Sequence, residues 1–109
     1  MQAQEELRKY LYNNGYEILD EVLVKEDFRI YEIIIAKYTG KNTEVKNEIY
    51  YEIGNKLIEN KDELLSELVN KKIKSYENII AKLEGKSGEV IETKREETKK
   101  HIDELKGLI

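Results

Sequence analysis

Cysteine and proline are absent from this chain, and histidine occurs once, at His101. Without cysteine there are no disulfides and no thiolate metal sites, and a reducing compartment is the natural setting. No apolar run approaches the ~20 residues that span a bilayer. The N-terminus lacks the basic and apolar regions of a signal peptide, so a soluble, cytoplasmic protein is expected. Catalytic signatures are missing as well: there is no Gly-rich loop after a strand, no phosphate-binding loop and no metal-spaced His/Cys set. His101 lies between Lys100 and Ile102 on a charged helix and reads as a solvated residue. The neighbours Glu96-Glu97 and Asp103-Glu104 fall on different helix faces and read as surface charge, not as paired carboxylates.

What the chain has in abundance is charge, 39% of its residues, at spacings that point to long, solvent-washed helices. The net charge of −4 conceals an asymmetry. Residues 1–70 hold 9 Lys/Arg against 15 Asp/Glu, a balance of −6, while residues 71–109 hold 10 against 8, a balance of +2. An acidic chain is a poor free-standing nucleic-acid binder, although its basic end can still touch phosphates.

Apolar periodicity divides the 109 residues, one small domain's length, into elements. Ala3, Leu7, Tyr10 and Leu11 predict a helix over Gln2–Asn14, stopped by Asn14-Gly15 because glycine accepts the left-handed geometry of a C-cap. Tyr16–Lys25 reads as a strand whose Glu17, Asp20 and Glu21 suit a sheet edge, where charge deters further pairing. Glu26-Asp27-Phe28 turns the chain, and Arg29–Tyr38 returns antiparallel. The polar loop Thr39–Thr43 is the best boundary and gives two parts, 1–40 and 41–109.

Beyond that loop, Val45, Ile49, Ile53 and Leu57 predict one helix over Glu44–Asn60, with Gly54 as a kink or close-approach point. Leu65, Val69, Lys72, Tyr76, Ile79 and Leu83 step by four and three along a helix over Lys61–Glu84, a coiled-coil-like seam of roughly 35 Å. Gly85–Gly88 breaks that helix, with Ser87 or Gly88 as the next N-cap. Ile91, Thr98, Ile102, Leu105 and Ile109 mark a last helix from Glu89 to near Leu108. Two long helices joined by four residues lie antiparallel. The polar run Lys94–Lys100 makes the middle of this hairpin its softest part. The fold class is therefore α+β: an antiparallel β-hairpin with an N-terminal helix, followed by an all-helical arm ending in an antiparallel coiled-coil hairpin.

The second strand is unusual, because Tyr31, Ile33 and Ile35 would point to one face and Ile30, Ile34, Ala36 and Tyr38 to the other. A strand apolar on both sides belongs inside a covered sheet, and two strands with a few helices do not make one. The chain is thus expected to complete its sheet with something else, either the rest of a larger α/β protein or a second copy. Burying one Ile fully is worth ~1.5–3 kcal/mol, so Ile30, Ile33, Ile34 and Ile35 are the candidate self-association residues. The eight tyrosines invite a base-stacking reading, but Tyr10, Tyr16, Tyr31, Tyr38 and Tyr76 fall at core-facing or rim positions, where packing is the favoured explanation. Lys71, Lys72, Lys74, Lys94, Arg95, Lys99 and Lys100 cluster toward the outer half of the helical hairpin and are the candidate RNA-contacting residues, against the plainer reading of a solvated face.

Glu5–Tyr38 (EELRKYLYNNGYEILDEVLVKEDFRIYEIIIAKY), followed by Tyr51–Gly54 (YEIG) and a long helical hairpin, resembles the C-terminal part of a known family. These are the bacterial tRNA adenine-22 N1-methyltransferases, which use S-adenosylmethionine. The order of helix, Asn-Gly stop, first strand, acidic turn, Ile-Tyr-Glu-Ile strand and helical arm is kept over nearly the whole chain. Phe28 departs from the pattern, standing where many relatives carry Gly or a polar turn residue; this alters the turn only.

The resemblance implies a Rossmann-like methyltransferase sheet, with Tyr16–Lys25 at its edge and Arg29–Tyr38 interior, completed by a missing N-terminal domain. It also implies an arm that helps to hold tRNA. No catalytic, cofactor-binding or metal residue carries over, because the Gly-rich turn and acidic residue that bind the cofactor in such folds would lie before Met1. The expected function is that of a C-terminal fragment of an S-adenosylmethionine-dependent tRNA (adenine-N1) methyltransferase, serving sheet completion and tRNA positioning and not catalytic by itself. A stand-alone, oligomerising protein-interaction module is the alternative.

Overall fold

Asn14 and Gly15 end the first helix by the chemistry expected of them. In the structure, a computed structural model that describes residues 3–109, α1 runs over Ala3–Asn13. Asn14 Nδ2 donates to the Tyr10 carbonyl at 2.8 Å, and Gly15 takes a left-handed φ of 82°. The expected first helical residue, Gln2, lies outside the described residues. The face that α1 buries is not the predicted stripe: Arg8, Leu11 and Tyr12 are inward, while Leu7 and Tyr10 are 45% and 56% exposed. Arg8 displaces Leu7 from the interior because its charge is met there by carboxylates of both strands.

β1 (Tyr16–Glu26) and β2 (Arg29–Tyr38) form a two-stranded antiparallel sheet. Asp27 makes the turn with φ 55°, a left-handed geometry that a short polar side chain tolerates. Partners run from Glu26↔Arg29 to Tyr16↔Tyr38, with a bulge between Ile18 and Asp20. That extra residue shifts the alternation of side chains. Ile18, Glu21 and Leu23, which a strict period of two divides between faces, are consequently all buried. Glu21 is therefore an interior residue and not the solvent-facing edge charge expected from sequence.

The helix expected over Glu44–Asn60 is two short helices, α2 (Ile49–Glu52) and α3 (Asn55–Glu59). Between them Ile53 is extended (φ −116°, ψ 112°) and Gly54 follows at φ −58°, ψ 133°. The stripe itself survives the break, with Ile49, Ile53 and Leu57 all buried. Lys61 then takes φ 51°, so α4 begins at Leu65 instead of Lys61. Asp62 starts it, its carboxylate accepting the Leu64 N–H at 2.9 Å and its carbonyl the Leu65 N–H at 3.0 Å.

The chain divides into two compact units after Leu65, not after residue 40. Ile53 and Leu57, from the α2–α3 segment, are completely buried within the unit built on the sheet. The second unit, Ser66–Ile109, holds α4 (Leu65–Leu83, from its second residue on) and α5 (Glu89–Lys106). Gly88 is the N-cap of α5. The Tyr76 and His101 rings meet edge-on at 4.7 Å, and Arg95 Nη2 donates to the Leu83 carbonyl at 3.0 Å, so the two helices run antiparallel. His101 is thus half-buried against an aromatic ring instead of fully solvated. The polar middle of α5 is also not uniformly outward, since Thr98 is buried and Arg95 is half-buried. No helix is long and apolar enough to cross a membrane among the described residues.

Candidate functional site

Arg8 and Glu21 fill the gap between α2 and α3. Arg8 Nε donates to Glu21 Oε2 at 2.7 Å, Nη2 to Glu32 Oε1 at 2.8 Å, and Nη1 to the carbonyls of Tyr51 and Glu52, each at 3.1 Å. Glu21 Oε1 accepts the Lys56 N–H at 3.2 Å. A helix that stops leaves carbonyls unpaired at its end, and one that starts leaves N–H groups unpaired. Here the guanidinium takes the last carbonyls of α2, and the carboxylate takes an early N–H of α3. A Cβ on Gly54 would overlap the Glu21 carboxylate, so only glycine leaves room for it. Arg8 and Glu21 are essentially fully buried. Nearby, burial, reinforced by the Glu21 charge, pushes the Tyr12 phenol above its ordinary value of 10.0, while Arg8 pulls the other way. From sequence, Gly54 is read as a close-approach point and Glu21 only as an edge charge; Arg8, Tyr12 and Glu32 carry no local signal.

This clamp covers one face of the sheet and leaves the other bare. Val22 and Val24 lie opposite Ile33 and Tyr31, and Ile35 continues the row. Tyr31, Ile33 and Ile35 are 46–48% exposed, so the cover expected on both faces of β2 is provided on one face only. The four candidate self-association residues are therefore split. Ile33 and Ile35 lie on the open face, whereas Ile30 and Ile34 alternate with them and are half-buried. Tyr10, Tyr31 and Tyr38 are likewise exposed rather than core residues.

The two edges of the sheet differ. On β1 the Leu23 N–H donates to Asp62 Oδ2 at 3.1 Å, and Asn60 Nδ2 donates to Asp20 Oδ1 at 2.9 Å, so this edge is closed by the loop before α4. Glu32 stands opposite Leu23, and opposite residues turn their amides the same way, inward or outward. The outer rim of β2 thus presents Glu32 and Ile34, with no third strand beyond it among the described residues.

In the second unit the candidate RNA-contacting residues separate into two groups. Lys74, Lys94, Lys99 and Lys100 are exposed. Lys71 is exposed and sits 3.8 Å from Glu67. Lys72 is only 9% exposed, and Arg95 is held by Glu92 at 2.6 Å and by the Leu83 carbonyl. Lys72 is thus buried, and Arg95 is engaged within the hairpin.

The residues present do not fit S-adenosylmethionine. Gly15 and Gly40 face each other beneath Tyr38, and Gly54 faces Glu21, so packing accounts for each of these glycines and none opens a cradle after a strand.

The family described as tRNA (adenine(22)-N(1))-methyltransferase matches residues 1–107. The chain belongs to that family. Among solved structures, an uncharacterized protein from Listeria monocytogenes serotype 4b has a TM-score of 0.81 at 18% identity, over 97% of this chain and 46% of that one. The B. subtilis M1A22 tRNA methyltransferase TrmK gives 0.77 at 21%, over 96% and 47%. A candidate tRNA (m1A22) methyltransferase of Streptococcus pneumoniae, in complex with S-adenosyl-L-methionine, gives 0.58 at 21%, over 92% and 43%. At these identities the likeness shows the fold alone. The chain spans a little under half the length of each, in accord with the C-terminal portion of a family member recognised in the sequence. No curated protein matches it.

Proposed function

We propose that the chain is the C-terminal portion of an S-adenosylmethionine-dependent tRNA (adenine-N1) methyltransferase and contributes sheet completion and tRNA positioning, not catalysis. The observation that carries this reading is the family match over residues 1–107. The bare apolar face and the unpaired rim of β2 support the first role. They are what the last hairpin of a Rossmann-like sheet offers to the strand and helices of a cofactor-binding domain. Lys74, Lys94, Lys99 and Lys100 support the second, as exposed cations on a coiled-coil-like arm.

The test is made in the full-length methyltransferase. Replacing these four lysines by Glu weakens tRNA binding, most at low salt, and flattens the dependence of affinity on salt. Unchanged affinity at all salt concentrations would retire the arm as a tRNA contact. A second reading, an interaction module that pairs with its own copies, is favoured by the same open β2 rim.

A further inference from the structure

Two stretches far apart in sequence meet at the end of the sheet opposite the Asp27 turn. The Thr39 and Gly40 N–H groups donate to the Gly15 carbonyl at 2.8 and 2.9 Å, and the Thr43 N–H donates to the Tyr12 carbonyl at 2.9 Å. These bonds join residues 9–16 (KYLYNNGY) to residues 37–46 (KYTGKNTEVK). Together the stretches carry Lys9, Lys37, Lys41 and Lys46 against Glu44 alone, a balance of +3 (4 − 1). The remainder of residues 1–65 carries 5 Lys/Arg against 13 Asp/Glu, a balance of −8. All four lysines are exposed. A basic island therefore stands in an acidic unit, bordered by Glu17, which lies opposite Lys37 across the sheet.

Three aromatic rings cross this island in a row. Tyr10 and Tyr16 have ring centroids 6.4 Å apart, and Tyr16 and Tyr38 are 5.3 Å apart. Tyr10 and Tyr38 are 56% and 65% exposed, so the core does not account for them. The floor is built to fit: a Cβ on Gly15 would stand 3.1 Å from Gly40 Cα and 3.2 Å from Tyr38 Cε1, so the loops and the Tyr38 ring approach closely only because side chains are missing there. A protein partner would find its aromatic anchors ringed by an apolar interface core. These rings are instead interleaved with lysines, Asn13, Asn14, Thr39 and Asn42, all exposed. Aromatic faces for bases beside cations for phosphates are the chemistry of single-stranded nucleic-acid binding.

We propose that Tyr10, Tyr16 and Tyr38, with Lys9, Lys37 and Lys41, form a stacking platform for unpaired RNA bases. The proposal rests on the tRNA reading above and adds a contact carried by the sheet unit, not by α4 and α5.

The test titrates the full chain with a short unstructured oligoribonucleotide and, separately, with the same strand in a duplex. Binding is read by fluorescence anisotropy and by amide NMR shifts. The single strand binds more tightly than the duplex, and shifts concentrate at residues 9–16 and 37–42. Tyr38→Leu and Tyr10→Leu each weaken binding about tenfold, whereas Tyr38→Phe, which keeps the ring face, stays within about twofold of wild type. Both positions are exposed, so the fold is retained, as checked by circular dichroism. Wild-type affinity in both leucine variants overturns the platform, as does equal affinity for duplex and single strand. Shifts confined to α4 and α5 also overturn it while leaving the arm's role intact. Platform shifts that persist when Lys74, Lys94, Lys99 and Lys100 are reversed to Glu support it even if the arm's role fails.

Discussion

Arg8 brings five N–H donors to a place where two carboxylates and two backbone carbonyls converge. Removing one partner of a buried charge cluster leaves the other charges uncompensated, so Arg8→Met costs about 3–5 kcal/mol, read as a lowered urea midpoint. Gly54→Ala costs about 1–3 kcal/mol by overpacking against Glu21. A Glu21→Ser background relieves much of that penalty, and a double-mutant cycle measures how much. Tyr12 adds a pH dependence. Its pKa is raised in the folded state, so its stabilising contribution is whole below the ordinary value of 10.0 and is lost as pH rises through the folded value. Tyr12→Phe flattens the alkaline fall in thermal midpoint; an unchanged profile would show the phenol does not contribute. At this scale the sequence was hard to read. Leu7 is apolar and fits the helical stripe better than Arg8, and nothing in the local pattern marks Arg8 as the residue whose partners lie on two strands.

The β elements were legible almost to the residue, because β-branched runs bounded by Asn-Gly and an acidic turn admit few alternatives. The faces were not. A bulge at residues 18–20 changes which side chains go inward, and periodicity carries no sign of it. The helix over 44–60 was misread for a similar reason. Its stripe is continuous, but the cut at Ile53–Gly54 is stabilised by Glu21, whose partner Lys56 is 35 residues away. The α4 seam was legible because four-and-three stepping over five turns leaves one face to bury. The bond from Arg95 to the Leu83 carbonyl, which ties α4 to α5, is a polar link that no hydrophobic pattern reveals. Arg95→Ala removes the bond to the Leu83 carbonyl, and amide exchange then quickens at residues 83–95. Protection unchanged there would mean the link does not hold the end of the hairpin.

For the molecule as a whole, the apolar side chains on the two faces of β2 meet different surroundings, one face covered within the chain and the other not. Val22, Val24, Tyr31, Ile33 and Ile35 remain an apolar sheet face open to water. Isolated at ~100 μM, well above a micromolar dissociation constant, the chain is expected to dimerise, with Ile33→Lys and Ile35→Lys shifting it to monomer in sedimentation or light scattering. A wild-type monomer at that concentration would rule out self-pairing.

Asp62's hold on the Leu23 amide leaves each copy one adhesive rim instead of two. Two copies joined rim to rim across a twofold axis would have no backbone edge left to pair. Strand-by-strand accretion along the hydrogen-bonding direction would therefore halt at two.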